Sequence, residues 1–120
     1  MRGLTIILAE PSPPRLRAAL SLAAAVAALG GRARLFLHED AVTLLAAPLA
    51  DAGDDRRSTA GLPTMAQLFE EALAMSVEVI LCQSGLALAG LDAGTLDQRL
   101  LTGGLIGIVS AIGDDRLLLA

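Results

Sequence analysis

The sequence predicts a doubly wound α/β domain, three layers deep, with helices on both faces of a mainly parallel sheet of four to five strands. Three observations carry this expectation. Apolar runs of strand length recur along the chain, at Leu4–Ala9, Ala33–Leu37 and Val77–Leu81, and a shorter one at Arg116–Leu119 closes it. The runs are continuous rather than alternating, as expected of strands buried on both faces. Helical segments separate them, so right-handed crossovers wind successive strands into one sheet. The length of 120 residues suits a single domain spanning residues 1–120, large enough for a real core.

The elements follow in order. After Leu4–Ala9, Ser12-Pro13-Pro14 starts a helix, with Ser12 as N-cap and proline in the first turn. That helix runs to about Leu29 and stops at Gly30-Gly31. Between Ala18 and Leu29 only Ser21 is polar, so the helix is apolar all round and is expected to be buried all round. One face suits the sheet, and the other is expected to meet a second subunit. The Ala33–Leu37 strand leads into a short helix from His38 to about Ala47. Residues 48–63 are polar and rich in Gly and Pro, which reads as a mobile surface loop. Thr64–Met75 is an amphipathic helix, with Met65, Leu68, Phe69, Ala72 and Leu73 inward. Val77–Leu81 then ends at Cys82, followed by short helices at Ser84–Leu88 and Thr95–Leu101. Gly104–Ile112 fits helix or strand, ahead of the closing strand.

Composition excludes several classes. Hydrophobic residues make up 54%, yet the longest uncharged stretches, Ala18–Gly31 and Leu100–Gly113, have 14 residues each. A spanning helix needs about 20 apolar residues. The apolar run after Arg2 stops at Glu10-Pro11, too short for a secretory leader. A cytoplasmic protein without a membrane partner is expected. The excess of apolar residues is expected to be buried by self-association. A net charge of −4 and the absence of Trp and Tyr argue against nucleic acid. The chain has no Lys, one Cys and one His, so neither a lysine Schiff base nor a zinc site is expected. No cofactor or metal is expected.

In open parallel sheets ligands bind beyond the carboxyl ends of the strands, near the point where the strand order reverses. Three polar segments leave those ends: Glu10 and Ser12, His38-Glu39-Asp40, and Cys82-Gln83-Ser84-Gly85. Cys82 stands where a strand gives way to a helix start, whose free N–H groups and dipole favour an anion. Such a position favours the thiolate, the nucleophilic form of cysteine. Gln83 and Ser84 offer hydrogen bonds, and Gly85 permits close backbone approach. The plainer alternative is a buried packing cysteine, since free cysteine is among the most buried residue types. His38 is a candidate base or anion ligand. If the second and third strands flank the first, His38 and Cys82 stand two strand spacings of about 4.8 Å apart, against a direct pair within one chain. The plainer reading makes His38-Glu39-Asp40 a solvated turn with Asp40 as N-cap, and Glu10 and Ser12 a turn and a cap. Asp54-Asp55-Arg56-Arg57 reads as a solvated loop tip, and Asp114-Asp115-Arg116 as a turn.

The order LTIILAE, RARLFLHEDAVTLL, VEVILCQSGLALAGL and GGLIGIVSAIGDDRLLLA resembles the DsrE/DsrF-like family of small bacterial proteins over almost the whole chain. The resemblance is most specific at the strand entering His38-Glu39-Asp40-Ala41-Val42 and the strand entering Cys82. It implies a three-layer α/β domain with about five strands, assembled into trimers or hexamers. Sulfur-relay members carry a cysteine at the end of the strand matching Val77–Leu81, where it holds a persulfide passed between proteins. Cys82 matches that cysteine. The chain departs from the relay pattern after it, where Gln-Ser-Gly replaces small residues.

Two functions of different class follow. In the first, Cys82 carries a persulfide between donor and acceptor proteins, as a sulfur carrier or sulfurtransferase. In the second, the protein is a non-enzymatic oligomeric binding or scaffold module, whose rim pocket of Glu10, Ser12, His38, Gln83, Ser84 and Gly85 holds a small ligand or partner peptide. A flavodoxin-like nucleotide site is disfavoured, because Glu10-Pro11-Ser12-Pro13 stands where a Gly-rich phosphate loop would.

Overall fold

The computed structural model describes residues 1–120. Five strands form one sheet in the order β4-β3-β2-β1-β5: β1 (Leu4–Leu8), β2 (Ala33–Leu37), β3 (Glu78–Cys82), β4 (Leu101–Gly103) and β5 (Arg116–Leu119). Every pairing is parallel. All residues of β1 and β2 are buried, which accounts for their uninterrupted apolar sequences.

Helix α1 (Pro13–Ala28) begins as its residues dictate. Ser12 caps it, its side chain accepting from the Arg15 N–H, and prolines occupy the first turn. Helix α3 (Met65–Ala74) starts with a capping box, in which Thr64 and Gln67 exchange side-chain and backbone hydrogen bonds. The first two crossovers step the same way across the sheet, so right-handed connections put α1 and α3 on one face, where they pack together. The return from β4 to β5 carries α5 (Leu105–Ser110) to the other face, where the Ile108 carbonyl accepts from Arg34 of β2. A cluster of 27 buried residues forms the core.

Several expectations are corrected. The strands flanking β1 are β2 and β5, and β3 lies beyond β2, because three successive crossovers step in one direction before the chain turns back. Within the single chain, helix α1 packs on α3 as well as on the sheet, a contact the sequence did not indicate, and leaves Ala18, Leu22, Ala25 and Leu29 exposed. The polar stretch at 48–63 contains a helix, α2 (Asp54–Thr59), with acidic residues in its first turn and arginines in its last, as the helix dipole favours. Asp54 is no loop tip, since its carboxylate accepts from the Asp51 and Met65 N–H groups. Thr95–Leu101 is not helical. A 3-10 turn at Ala93–Thr95 is followed by an irregular segment and then β4. Asp92 and Asp97 accept from the N–H groups two residues on, and these local bonds compete with helix formation. The segment after β2 is a 3-10 helix (Glu39–Leu45), with His38 rather than Asp40 in the N-cap position.

Asp115 is also not a solvated turn residue. Its side chain is 4% exposed, and its Oδ2 accepts from Thr5 Oγ1 at 2.9 Å and Arg32 Nη2 at 2.8 Å. Arg34, buried in β2, donates to the same Thr5 hydroxyl from Nε and Nη2. This network ties the turn before β5 to β1 and β2 at the amino ends of the strands, away from Cys82.

No helix is long and apolar enough to cross a membrane.

Candidate functional site

Because β3, β2 and β1 are neighbours and parallel, their carboxyl ends form one rim in that order. Cys82 is the last residue of β3 and the N-cap of α4 (Gln83–Ala89). Its Sγ accepts from the Gly85 N–H at 3.4 Å, closing the first turn of that helix. The residue is 4% exposed and has no disulfide partner. On one side it pairs with Gly103 of β4, which presents no side chain. On the other, Leu81 pairs with Leu37 of β2, so the next residues along, Cys82 and His38, stand side by side. The two-strand separation expected for them does not occur.

Gln83 and Ser84 are exposed in the first turn of α4, and Glu10 is exposed beyond β1 with half-buried Ser12 after it. Gly85 does allow a close approach, but to this chain itself. A Cβ there would overlap the Glu39 carbonyl oxygen and fall 2.8 Å from its carbonyl carbon. Glu39 in turn has φ 47°, a left-handed conformation uncommon outside glycine. A glycine in a buried first turn and a strained residue after β2 thus hold α4 against the 3-10 helix. Strained backbone of this kind concentrates at functional sites.

The His38 ring is 29% exposed, with Nε2 3.5 Å from Glu39 Oε1. Its Nδ1 is shut from solvent and has no hydrogen-bond partner. Phe36, two residues earlier on the same face of β2, lies 6.0 Å away between ring centroids. Sequence reasoning placed Glu39 in the rim turn but missed its left-handed backbone, since nothing in a glutamate signals positive φ.

The reversal of strand order falls between β1 and β5, where the Ala9 N–H donates to the Ala120 carbonyl. Cys82 therefore lies two strands from the reversal, and not at it. None of the clefts in the chain is lined by Cys82, His38, Glu10, Ser12, Gln83, Ser84 or Gly85. The cleft at β3, about 510 Å³, is bordered by Leu81, Leu101 and Thr102. Strand alternation places Leu81 on the opposite face from Cys82. Beside it the Arg99 guanidinium, bonded to Asp97 and Glu70, holds the Asp97 carboxyl down to about 2. No grouping of His, Cys, Asp and Glu suited to a metal ion occurs.

The fold recurs in the crystal structure of the ychN protein from E. coli, with a TM-score of 0.69 and 23% sequence identity over the whole of both chains. At that identity the likeness establishes the fold. No curated protein matches the sequence. The profile of the DsrE/DsrF-like family matches residues 2–118, from before β1 to the end of β5 but for its last residue, and so the chain belongs to the DsrE/DsrF-like family.

Proposed function

We propose that this chain is a sulfur-relay protein of the cytoplasm in which Cys82 carries a persulfide. The observation that carries the reading is the placement of the only cysteine: at the mouth of β3, with the Gly85 N–H directed at its sulfur. A donated N–H stabilises negative charge on sulfur, in the attacking thiolate and in the persulfide anion. In loading, Sγ attacks the outer sulfur of a donor persulfide. The new Sγ–S bond forms as the donor's S–S bond breaks, and the electron pair leaves on the donor's inner sulfur. Delivery is the same exchange, with an acceptor thiolate attacking the outer sulfur on Cys82. With no second cysteine in the chain, the persulfide is not lost to an internal disulfide.

Cys82 is buried, so exchange with donor and acceptor requires a local opening that exposes the sulfur. We read the partners as sulfur-donor and sulfur-acceptor proteins, and the working form as a homo-oligomer. Support for the oligomer is the exposed apolar surface, which includes Ile106 at 88% and Leu119 at 71% exposed.

Burial of the sulfur, and the lack of a cleft at the rim, favour the competing reading of a binding or scaffold module with Cys82 as packing. Release of sulfane sulfur by cyanide separates the two after incubation with inorganic polysulfide. The relay reading expects thiocyanate equivalent to about one sulfur per chain, abolished in Cys82→Ser. Equal, background yields from both proteins would leave Cys82 as packing.

A further inference from the structure

We infer that residues 92–100 form a strap that opens as a unit, and that Arg99 is the latch closing it onto α3. The strap joins α4 to β4 and has no regular structure beyond the 3-10 turn at Ala93–Thr95. It begins just after Gly90, the left-handed cap of α4 at φ 66°, where an added Cβ would meet no other atom. It borders Leu81 of β3, on the face of the sheet away from Cys82, so the inference stands apart from the persulfide reading.

The strap is hydrogen-bonded almost wholly to itself. Asp92 accepts from the Gly94 N–H and the Thr95 hydroxyl, Gln98 donates to the Gly94 and Leu96 carbonyls, and the Leu100 N–H donates to the Asp97 carbonyl. Only the Arg99 guanidinium reaches outside. Its Nη1 and Nη2 donate to the two carboxylate oxygens of Glu70 on α3, at 2.6 and 2.8 Å. The same guanidinium is held from within the strap, donating from Nε and Nη2 to Asp97, which also accepts the Arg99 N–H. An exposed ion pair ordinarily contributes little, because ordering two long side chains costs entropy. Here Asp97 orders the arginine in advance and both oxygens of Glu70 are engaged, the bidentate geometry in which such a pair counts.

What the strap covers is apolar. Its Leu96 and Leu100 are half-buried against the core, the only other hold it has. Asp97 and Leu100 border two clefts at once. One, of about 510 Å³, lies over Leu81 and Leu101, and the other, of about 260 Å³, lies among Leu45, Leu49 and Phe69. Lifting the strap removes the wall between them and leaves one apolar trough, with the Glu70 carboxylate at its edge. Local openings are drawn from segments with few ties to the core, as this one is.

The test is limited proteolysis of the folded protein by thermolysin, which cuts before large apolar residues and so reads Leu96 and Leu100 once the strap lifts them out. When opening and closing are fast relative to cleavage, the cutting rate follows the population of the open form. Wild type is compared with Glu70→Gln, Arg99→Gln and the double variant Glu70→Arg with Arg99→Glu, which keeps one arginine facing two carboxylates. Both single variants are expected to be cut within the strap about fivefold faster, and the double variant to return to within about twofold of wild type. The excess of Glu70→Gln over wild type should shrink as salt rises from about 0.05 to about 0.5 M, because salt screens the pair in the wild type alone. Cutting of the single variants at the wild-type rate overturns the latch. Fast cutting of the double variant also overturns it, since packing rather than charge would then hold the strap. Cuts that appear equally in β1 and β2 mark general unfolding, and overturn the opening of the strap as a unit.

Discussion

The Cα of Gly85 rests against the backbone of Glu39, so close that a methyl group added there would fall 2.9 Å from the Glu39 Cα. The contact seats the first turn of α4 on the strand end that carries His38, and the Gly85 N–H that meets the Cys82 sulfur comes from the same residue. Gly85→Ala is therefore expected to push α4 outward and destabilise the fold by about 1–3 kcal/mol, the usual cost of overpacking. Urea denaturation measures it. An unchanged midpoint would mean that α4 is not pinned by this contact.

The Asp115 network predicts an acid-sensitive fold. Burial alone would raise the Asp115 carboxyl, but the hydrogen bonds from Arg32 and Thr5, with the charges of Arg32 and Arg34, outweigh it and hold the group below its ordinary 3.8. A carboxyl depressed in the folded state contributes its full stability above the unfolded value, and loses it as pH falls through the lower folded value. Stability of the wild type should thus decline as pH drops below about 4, with a smaller decline in Asp115→Ala. At neutral pH that variant leaves Arg34 buried beside an incomplete network, at a cost of about 3 kcal/mol. Denaturation curves at neutral and acid pH check both expectations. Parallel pH dependence in the two proteins would show that other carboxylates govern the acid limb.

Self-association is expected to involve apolar side chains that the single chain leaves in solvent. Strand β5 is a sheet edge with Leu117, Leu118 and Leu119 all exposed, and α5 exposes Leu105, Ile106 and Val109. Sheet edges of this kind recruit further chains. Ile106→Glu and Leu119→Glu should lower the mass seen by sedimentation velocity and leave the far-ultraviolet circular dichroism unchanged. A monomeric wild type would contradict the expectation.

Much of the architecture was legible because buried parallel strands are written as unbroken apolar runs, and because Ser12 and Gly30-Gly31 mark the ends of α1 by local chemistry. The position of Cys82 at a strand end was legible for the same reason. Strand order was not, since nothing local to Ala33–Leu37 or Val77–Leu81 says which strand lies beside β1. That single uncertainty reversed the spatial relation of His38 to Cys82. The Asp114-Asp115 pair looks like any polar turn, and only the fold brings Thr5, 110 residues away, to its carboxylate. Strand β4 was hidden by its length of 3 residues, and the helical reading before it failed because Asp92 and Asp97 bond to their own turns.

The central claim is that Cys82 holds a transferable sulfur, and intact-protein mass spectrometry after exposure to a persulfide donor addresses it most directly. The account predicts a mass gain of about 32 Da, mapped to the Cys82 peptide, removed by dithiothreitol and passed to a second thiol protein on mixing. A Cys82 that stays unmodified while small thiols in the same solution are persulfidated would contradict it.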